Sequence, residues 1–199
     1  MKIFRELYDT QNVKLILNDK ILEDGFKSIS SDIALIPQEP EIFNTTIKEN
    51  ITLGISKSPD ELKRYAKLTG FNSVVNKLPK KFNSYIYEKG VNLSGGEKQR
   101  LALARGLMAS EDKAIILLDE STSSVDLQNE MKIYENIFKN YSNKTIIASI
   151  HRLHLLSFFD KVYFFKNGKI IESGTFEELK KNSNEFRRIW AKYKRMQEK

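Results

Sequence analysis

Cysteine is absent from the 199 residues. That excludes disulfides and thiolate metal sites, and it fits a reducing compartment. No apolar run approaches the roughly 18 residues that a membrane-spanning helix requires, and the opening Met1–Tyr8 carries no signal-peptide core. Internal repeats and low-complexity linkers are missing too. What remains, 40% hydrophobic and 30% charged, is the composition of a folded globular chain, long enough for one domain or one domain with a small subdomain. The formal charge is +7, but the lysines are dispersed among acids. A solvated surface is therefore expected rather than a nucleic-acid footprint.

The stretch that organises the chain is Leu93-Ser94-Gly95-Gly96-Glu97, followed by Lys98-Gln99-Arg100 and a helical run through Leu101, Leu103, Leu107 and Met108. Two readings stand. Ser94 and Glu97 have the S-x-x-E spacing of a capping box, which needs no ligand. Adjacent glycines at a helix start also let a phosphate approach unpaired N–H groups, and a cap alone does not call for them.

Around this stretch, Ile3, Phe4 and Leu7 share a helical face. Lys14–Leu17 and Asp32–Ile36 read as strands, the second closed by Pro37. Thr46–Asn50 reads as a helical turn. Ser58-Pro59-Asp60-Glu61 is a helix start with proline at the first position, and helices follow to Leu68 and from Asn72 to Leu78. This helical middle reads as an insertion between strands. Ala114–Leu118 is continuously apolar, as strands buried on both faces are, and it ends in Asp119-Glu120. A helix from about Asp126 to Tyr141 precedes a second buried strand, Thr145–Ala148, and then His151. Asn167-Gly168 between Val162–Phe165 and Lys169–Ile171 predicts a hairpin. The last helix, Asn184 to about Met196, carries Phe186, Ile189, Trp190 and Tyr193 as a stripe expected to pack back on the domain.

Strand–helix–strand alternation implies a mostly parallel α/β sheet, with ligands beyond the carboxyl ends of its strands. Asp119, Glu120 and His151 are therefore expected to share a crevice. Asp119 suits Mg²⁺ through hard oxygens, and Glu120 suits orientation or deprotonation of a water. Alone, each is also explained as a turn acid, and His151 and His154 as structural histidines. Gln38 can bridge a metal and water, and Ser123-Ser124-Val125-Asp126 can be simply the cap of the next helix.

The order Gln38, Leu93–Glu97, Ile115–Glu120, Ser123–Asp126, His151 resembles the ATP-binding cassette (ABC) ATPases, the motor domains of ABC transporters. The resemblance implies a P-loop NTPase-like, mostly parallel α/β fold with an inserted helical subdomain at about 45–95, and with 1–44 and 96–199 as catalytic core and C-terminal hairpin and helix. It implies ATP and Mg²⁺ as cofactors, Gln38 as loop glutamine touching metal and water, Asp119 as metal ligand, Glu120 as catalytic glutamate and His151 as switch histidine. Ser94, Gly95, Gly96 and Glu97, with Ser123 and Asp126, would clamp the ATP held by a second cassette. Ile36–Ile51 resembles exporter-type cassettes, as does Glu88-Lys89-Gly90, where Tyr87 replaces the glycine usual there. The implied partners are a second cassette and a transporter's transmembrane domain, at the cytoplasmic face of a membrane; nucleic acid is not expected.

One family element has no counterpart: no G-x-x-x-x-G-K-[ST] occurs in the sequence. That loop cradles phosphates with backbone N–H groups, a lysine and a hydroxyl. Met1 falls inside the helix that would follow it, so the chain is expected to be the C-terminal part of a longer cassette, without its P-loop strand and with apolar sheet edges exposed. Hydrogen bonds to charged groups contribute roughly 1.5–3 kcal/mol each. Losing three costs about 5 kcal/mol, or several thousandfold in ATP affinity. The chain alone is thus expected to be inactive. The alternatives are a non-hydrolysing partner subunit that lends its LSGGE face to an intact cassette, or a superfamily ATPase acting on nucleic acid.

Overall fold

A computed structural model describes residues 14–87 and 92–197. The expected first helix around Ile3, Phe4 and Leu7 and the Glu88-Lys89-Gly90 loop lie outside those residues. The chain divides into two compact units, Met1–Ser149 and Ile150–Lys199.

The first unit opens with an antiparallel hairpin of β1 (Leu15–Leu17) and β2 (Lys20–Leu22). Its turn residues Asn18 and Asp19 both have positive φ, 49° and 62°, the conformation a tight two-residue hairpin demands and one Asn and Asp tolerate. Only the first of these strands is expected from the sequence. A 3-10 stretch, Gly25–Asp32, leads into β3 (Ile33–Ile36). Three helices follow: α1 (Ile47–Thr52), α2 (Pro59–Leu68) and α3 (Asn72–Lys77). Thr46 with Glu49 and Ser58 with Glu61 form complete capping boxes on α1 and α2.

The long helix α4 (Gly95–Ala109) carries the chain to β4 (Ile115–Asp119). After it come α5 (Leu127–Asn140) and β5 (Thr145–Ser149). The sheet is parallel in the order β3-β4-β5. As the middle strand, β4 buries Ile116, Leu117 and Leu118, which is why its sequence runs apolar without alternation. On β5, Ile146 and Ile147 are half-buried. Helix α4 runs so close to β3 that a Cβ on Gly106 would lie 2.5 Å from Ile36 Cγ1. Tyr141 Oη donates to the Leu107 carbonyl at 3.1 Å, and Asn136 Nδ2 to that of Leu68 at 3.0 Å; these bonds tie the α5 side to α4 and α2.

The second unit holds the hairpin β6 (Val162–Lys166) and β7 (Lys169–Gly174), turned at Asn167-Gly168 with positive φ at both residues. Helices α6 (Phe176–Asn182) and α7 (Asn184–Gln197) complete it. Helix α6 is not among the sequence expectations, although Thr175 and Glu178 form its capping box. The stripe on α7 packs inward as expected. Phe186 is buried with Leu156 and Leu179, and Trp190 packs against that cluster, its ring edge-on to Phe176 at 5.0 Å. His154 has its ring stacked on Tyr193 and its Nδ1 against the Tyr193 hydroxyl, which is the structural role expected of it.

Candidate functional site

The parallel register decides which loops meet. Ile36 pairs with Leu118, and Asp119 with Ser149. Gln38 and Glu120 therefore both emerge at the carboxyl end of the sheet, where ligands bind in this architecture. Gln38 Nε2 donates to Glu120 Oε2 at 2.9 Å. Asp119 is the last paired residue of β4 rather than a loop residue, and is half-buried. Glu120 has φ of 48°, a left-handed backbone that a non-glycine residue adopts only when its surroundings impose it. The imposing contacts are visible. Ser123 N–H donates to the Glu120 carbonyl at 3.1 Å, and Val125 N–H to that of Thr122 at 2.9 Å. Thr122 Oγ1 donates to the buried Glu130 carboxylate at 2.6 Å.

The capping-box reading of Ser94-Gly95-Gly96-Glu97 holds as far as it goes. Ser94 N–H donates to Glu97 Oε2 at 2.8 Å, and Glu97 N–H to Ser94 Oγ at 3.3 Å. The glycines need the second reading. Helix α4 starts against the loop after β4, and together they line an open cavity of about 350 Å³ with Ser94, Gly95, Gly96, Arg100, Ser124, Val125 and Asp126. Its lining offers hydroxyls, a guanidinium and the unpaired N–H groups of a helix start, donors suited to a phosphate. Asp126 caps α5 instead of facing inward alone: Oδ1 accepts from Asn129 N–H at 3.0 Å and Oδ2 from Asn129 Nδ2 at 2.6 Å. Those two bonds hold its carboxyl below the usual range.

The predicted residues thus fall into two sets in the first unit, Gln38–Asp119–Glu120 and Ser94–Gly96 with Asp126, with Ser123 between them. Glu97 contributes through the cap and is not in the cavity wall. His151 follows β5 by two residues and belongs to the second unit, where it is exposed.

Two residues escaped the sequence reading. Gln99, 5% exposed, donates from Nε2 to Ser123 Oγ at 2.8 Å and to the Gln38 carbonyl at 3.3 Å, while its Oε1 accepts from Ser124 N–H at 2.7 Å. The signal was a polar residue on the buried face of α4, in line with Leu103 and Leu107 at helical spacing. Arg105 donates from Nε to the Asn50 carbonyl at 2.6 Å, from Nη1 to that of Glu41 at 2.7 Å and from Nη2 to Asn50 Oδ1 at 2.8 Å. Its guanidinium also lies over the Phe43 ring, 4.5 Å from the centroid. Together, Gln99 and Arg105 fasten both ends of the loop from Gln38 to Phe43 onto α4.

The family model described as ABC transporter matches residues 1–123. Multidrug resistance protein 1 of Entamoeba histolytica is 38% identical over 184 residues, covering 90% of this chain and 14% of that protein. ABC transporter B family member 24, mitochondrial, of Arabidopsis thaliana is 36% identical, covering 92% of this chain and 27% of that one. A solved structure of a bacterial Atm1-family ABC exporter with ATP bound superposes with a TM-score of 0.84 at 27% identity, over 96% of this chain and 33% of that one. The chain spans about a third or less of the length of these relatives. The ordered motifs, the parallel sheet that brings Gln38 to Glu120, and these similarities agree, and the chain belongs to the ABC transporter family as an exporter-type nucleotide-binding domain.

Proposed function

We propose that the protein carrying this chain hydrolyses Mg-ATP to drive transport across a membrane, and that this chain supplies the face that closes over ATP bound by a second cassette. The observation that carries the reading is the cavity where Ser94, Gly95 and Gly96 meet Ser124–Asp126, small-walled and rich in donors. Asp119 and Gln38 offer the hard oxygens that suit Mg²⁺. Glu120, beside Gln38, is the carboxylate to orient water, with His151 and Gln38 sensing the γ-phosphate. Charge stabilisation by such preplaced groups is the main resource of phosphoryl transfer. The helical segment at about 45–95 acts as the signature-bearing subdomain, and a transmembrane domain holds the cassette at the cytoplasmic face.

Calorimetric titration of the purified chain with Mg-ATP is expected to give no binding up to millimolar concentration, because the sequence contains no phosphate-cradling glycine-lysine loop. Added to an intact exporter-type cassette, the chain is expected to raise its ATP turnover. Micromolar ATP binding by the chain, or no effect on the intact cassette, would overturn this assignment.

A further inference from the structure

We propose that Gln99 is a positioning residue that holds Gln38 and the Ser123–Ser124 turn in register with the glycines at the head of α4. The three bonds of its amide reach two segments far apart in sequence, the Gln38 loop after β3 and the turn after β4. The amide orientation is fixed by its neighbours. The Ser124 N–H can only donate and the Gln38 carbonyl can only accept, so a flipped amide would lose both bonds.

These bonds close a ring. Gln99 holds Gln38; the Gln38 side chain holds Glu120; the turn from Glu120 runs to Ser123 and Ser124, which Gln99 holds again. The Ser124 carbonyl in turn lies against Gly96, three residues before Gln99 on the same helix. Gln38 and Ser124 are both exposed whereas Gln99 is buried, so a side chain from the core fixes two surface loops. A displacement of α4 therefore moves the Gln38 side chain and the cavity wall at Ser124 together. The Gln99 amide thus ties the Gln38 loop to the turn that carries Glu120 and the cavity wall.

Substitutions separate the bonds. Gln99→Met keeps the side chain's length and loses all three. Gln99→Glu keeps an acceptor for Ser124 N–H but turns a carboxylate oxygen toward the Gln38 carbonyl, where nothing can donate. In the purified chain, amide exchange reads the Ser124 bond directly, and ¹⁵N spectra report the Gln38 bond through the Gln38 side-chain amide. In Gln99→Met, exchange at Ser124 is expected to rise at least tenfold, with Leu103 and Leu107 of α4 unchanged. In Gln99→Glu, the Ser124 protection returns while the Gln38 side-chain amide signal shifts. Unchanged Ser124 exchange in Gln99→Met, or a rise shared equally by Leu103 and Leu107, would reduce Gln99 to ordinary packing. Should Gln99→Met not fold, Gln99→Glu still decides: wild-type signals at Gln38 would sink the proposal. The consequence for function rests on the trans-acting role above. Both variants are expected to lose most of the stimulation of an intact cassette. A wild-type chain that stimulates nothing would defeat that role and leave the exchange result standing on its own.

Discussion

Gly96 lies directly against the backbone of Ser124: a Cβ built on it would sit 2.7 Å from the Ser124 carbonyl oxygen. The preceding glycine is different, since a Cβ on Gly95 would meet Ser124 Cβ at 3.5 Å, an ordinary contact. Gly96→Ala is therefore expected to lower stability by about 1–3 kcal/mol, the usual cost of overpacking. Gly95→Ala should be neutral within about 0.5 kcal/mol, or slightly stabilising through helix propensity. Thermal unfolding of the two variants side by side checks the difference. Equal melting temperatures would mean that the loop after β4 yields freely.

Arg105 predicts a larger effect. Its guanidinium satisfies the Asn50 and Glu41 carbonyls at once, and burial pushes its pKa down. Arg105→Met is expected to cost about 3 kcal/mol or more, from bonds worth roughly 1.5–3 kcal/mol each. Arg105→Lys should recover little of this, because one ammonium cannot replace a planar fork. Urea midpoints with an unchanged m-value would report it as stability rather than altered compactness.

Acid sensitivity follows from the helix caps. Bonds from the Ser58 backbone and side chain, with the Lys57 ammonium, hold the Glu61 carboxyl down from 4.5 to about 2. Glu49 and Asp126 are lowered for similar reasons. A carboxyl depressed in the folded state adds stability that is fully present above its unfolded pKa and is lost as pH falls through the folded one. For Glu61 the window runs from about 4.5 down to about 2. Urea midpoints should fall across that window, and Glu61→Gln should shrink the fall. An identical pH profile in the variant would count against the assignment.

The two residue sets make a functional split testable. In the stimulation assay, Ser94→Ala is expected to reduce the effect of this chain at least tenfold, because Ser94 lines the cavity. Glu120→Gln should leave it intact, since Glu120 does not line that cavity. Loss of stimulation in both variants would mean that the two sets do not serve separate nucleotides.

What could be read from the sequence was local. Apolar runs predict β3, β4 and β5; the S-x-x-E spacing at Ser94 and the proline at Pro59 mark helix starts. The matching T-x-x-E spacing at Thr175, where α6 begins, is not among the sequence expectations. The hairpin return at Lys20–Leu22 was also missed, because Asn18-Asp19 carries no glycine to announce the turn.

The sequence by itself determined the family, because the motifs are short contiguous strings whose order survives without any knowledge of contacts. It also named the residue types able to hold metal, water and phosphate. Only the tertiary structure decided that Gln38 reaches Glu120, that Gly96 is held to glycine by Ser124, and that Gln99 and Arg105 clamp the Gln38–Phe43 loop. Those relations depend on the parallel register of β3 on β4 and on the close approach of α4 to β3. Both are set by packing between segments distant in the chain, which leaves no periodicity for a sequence to display.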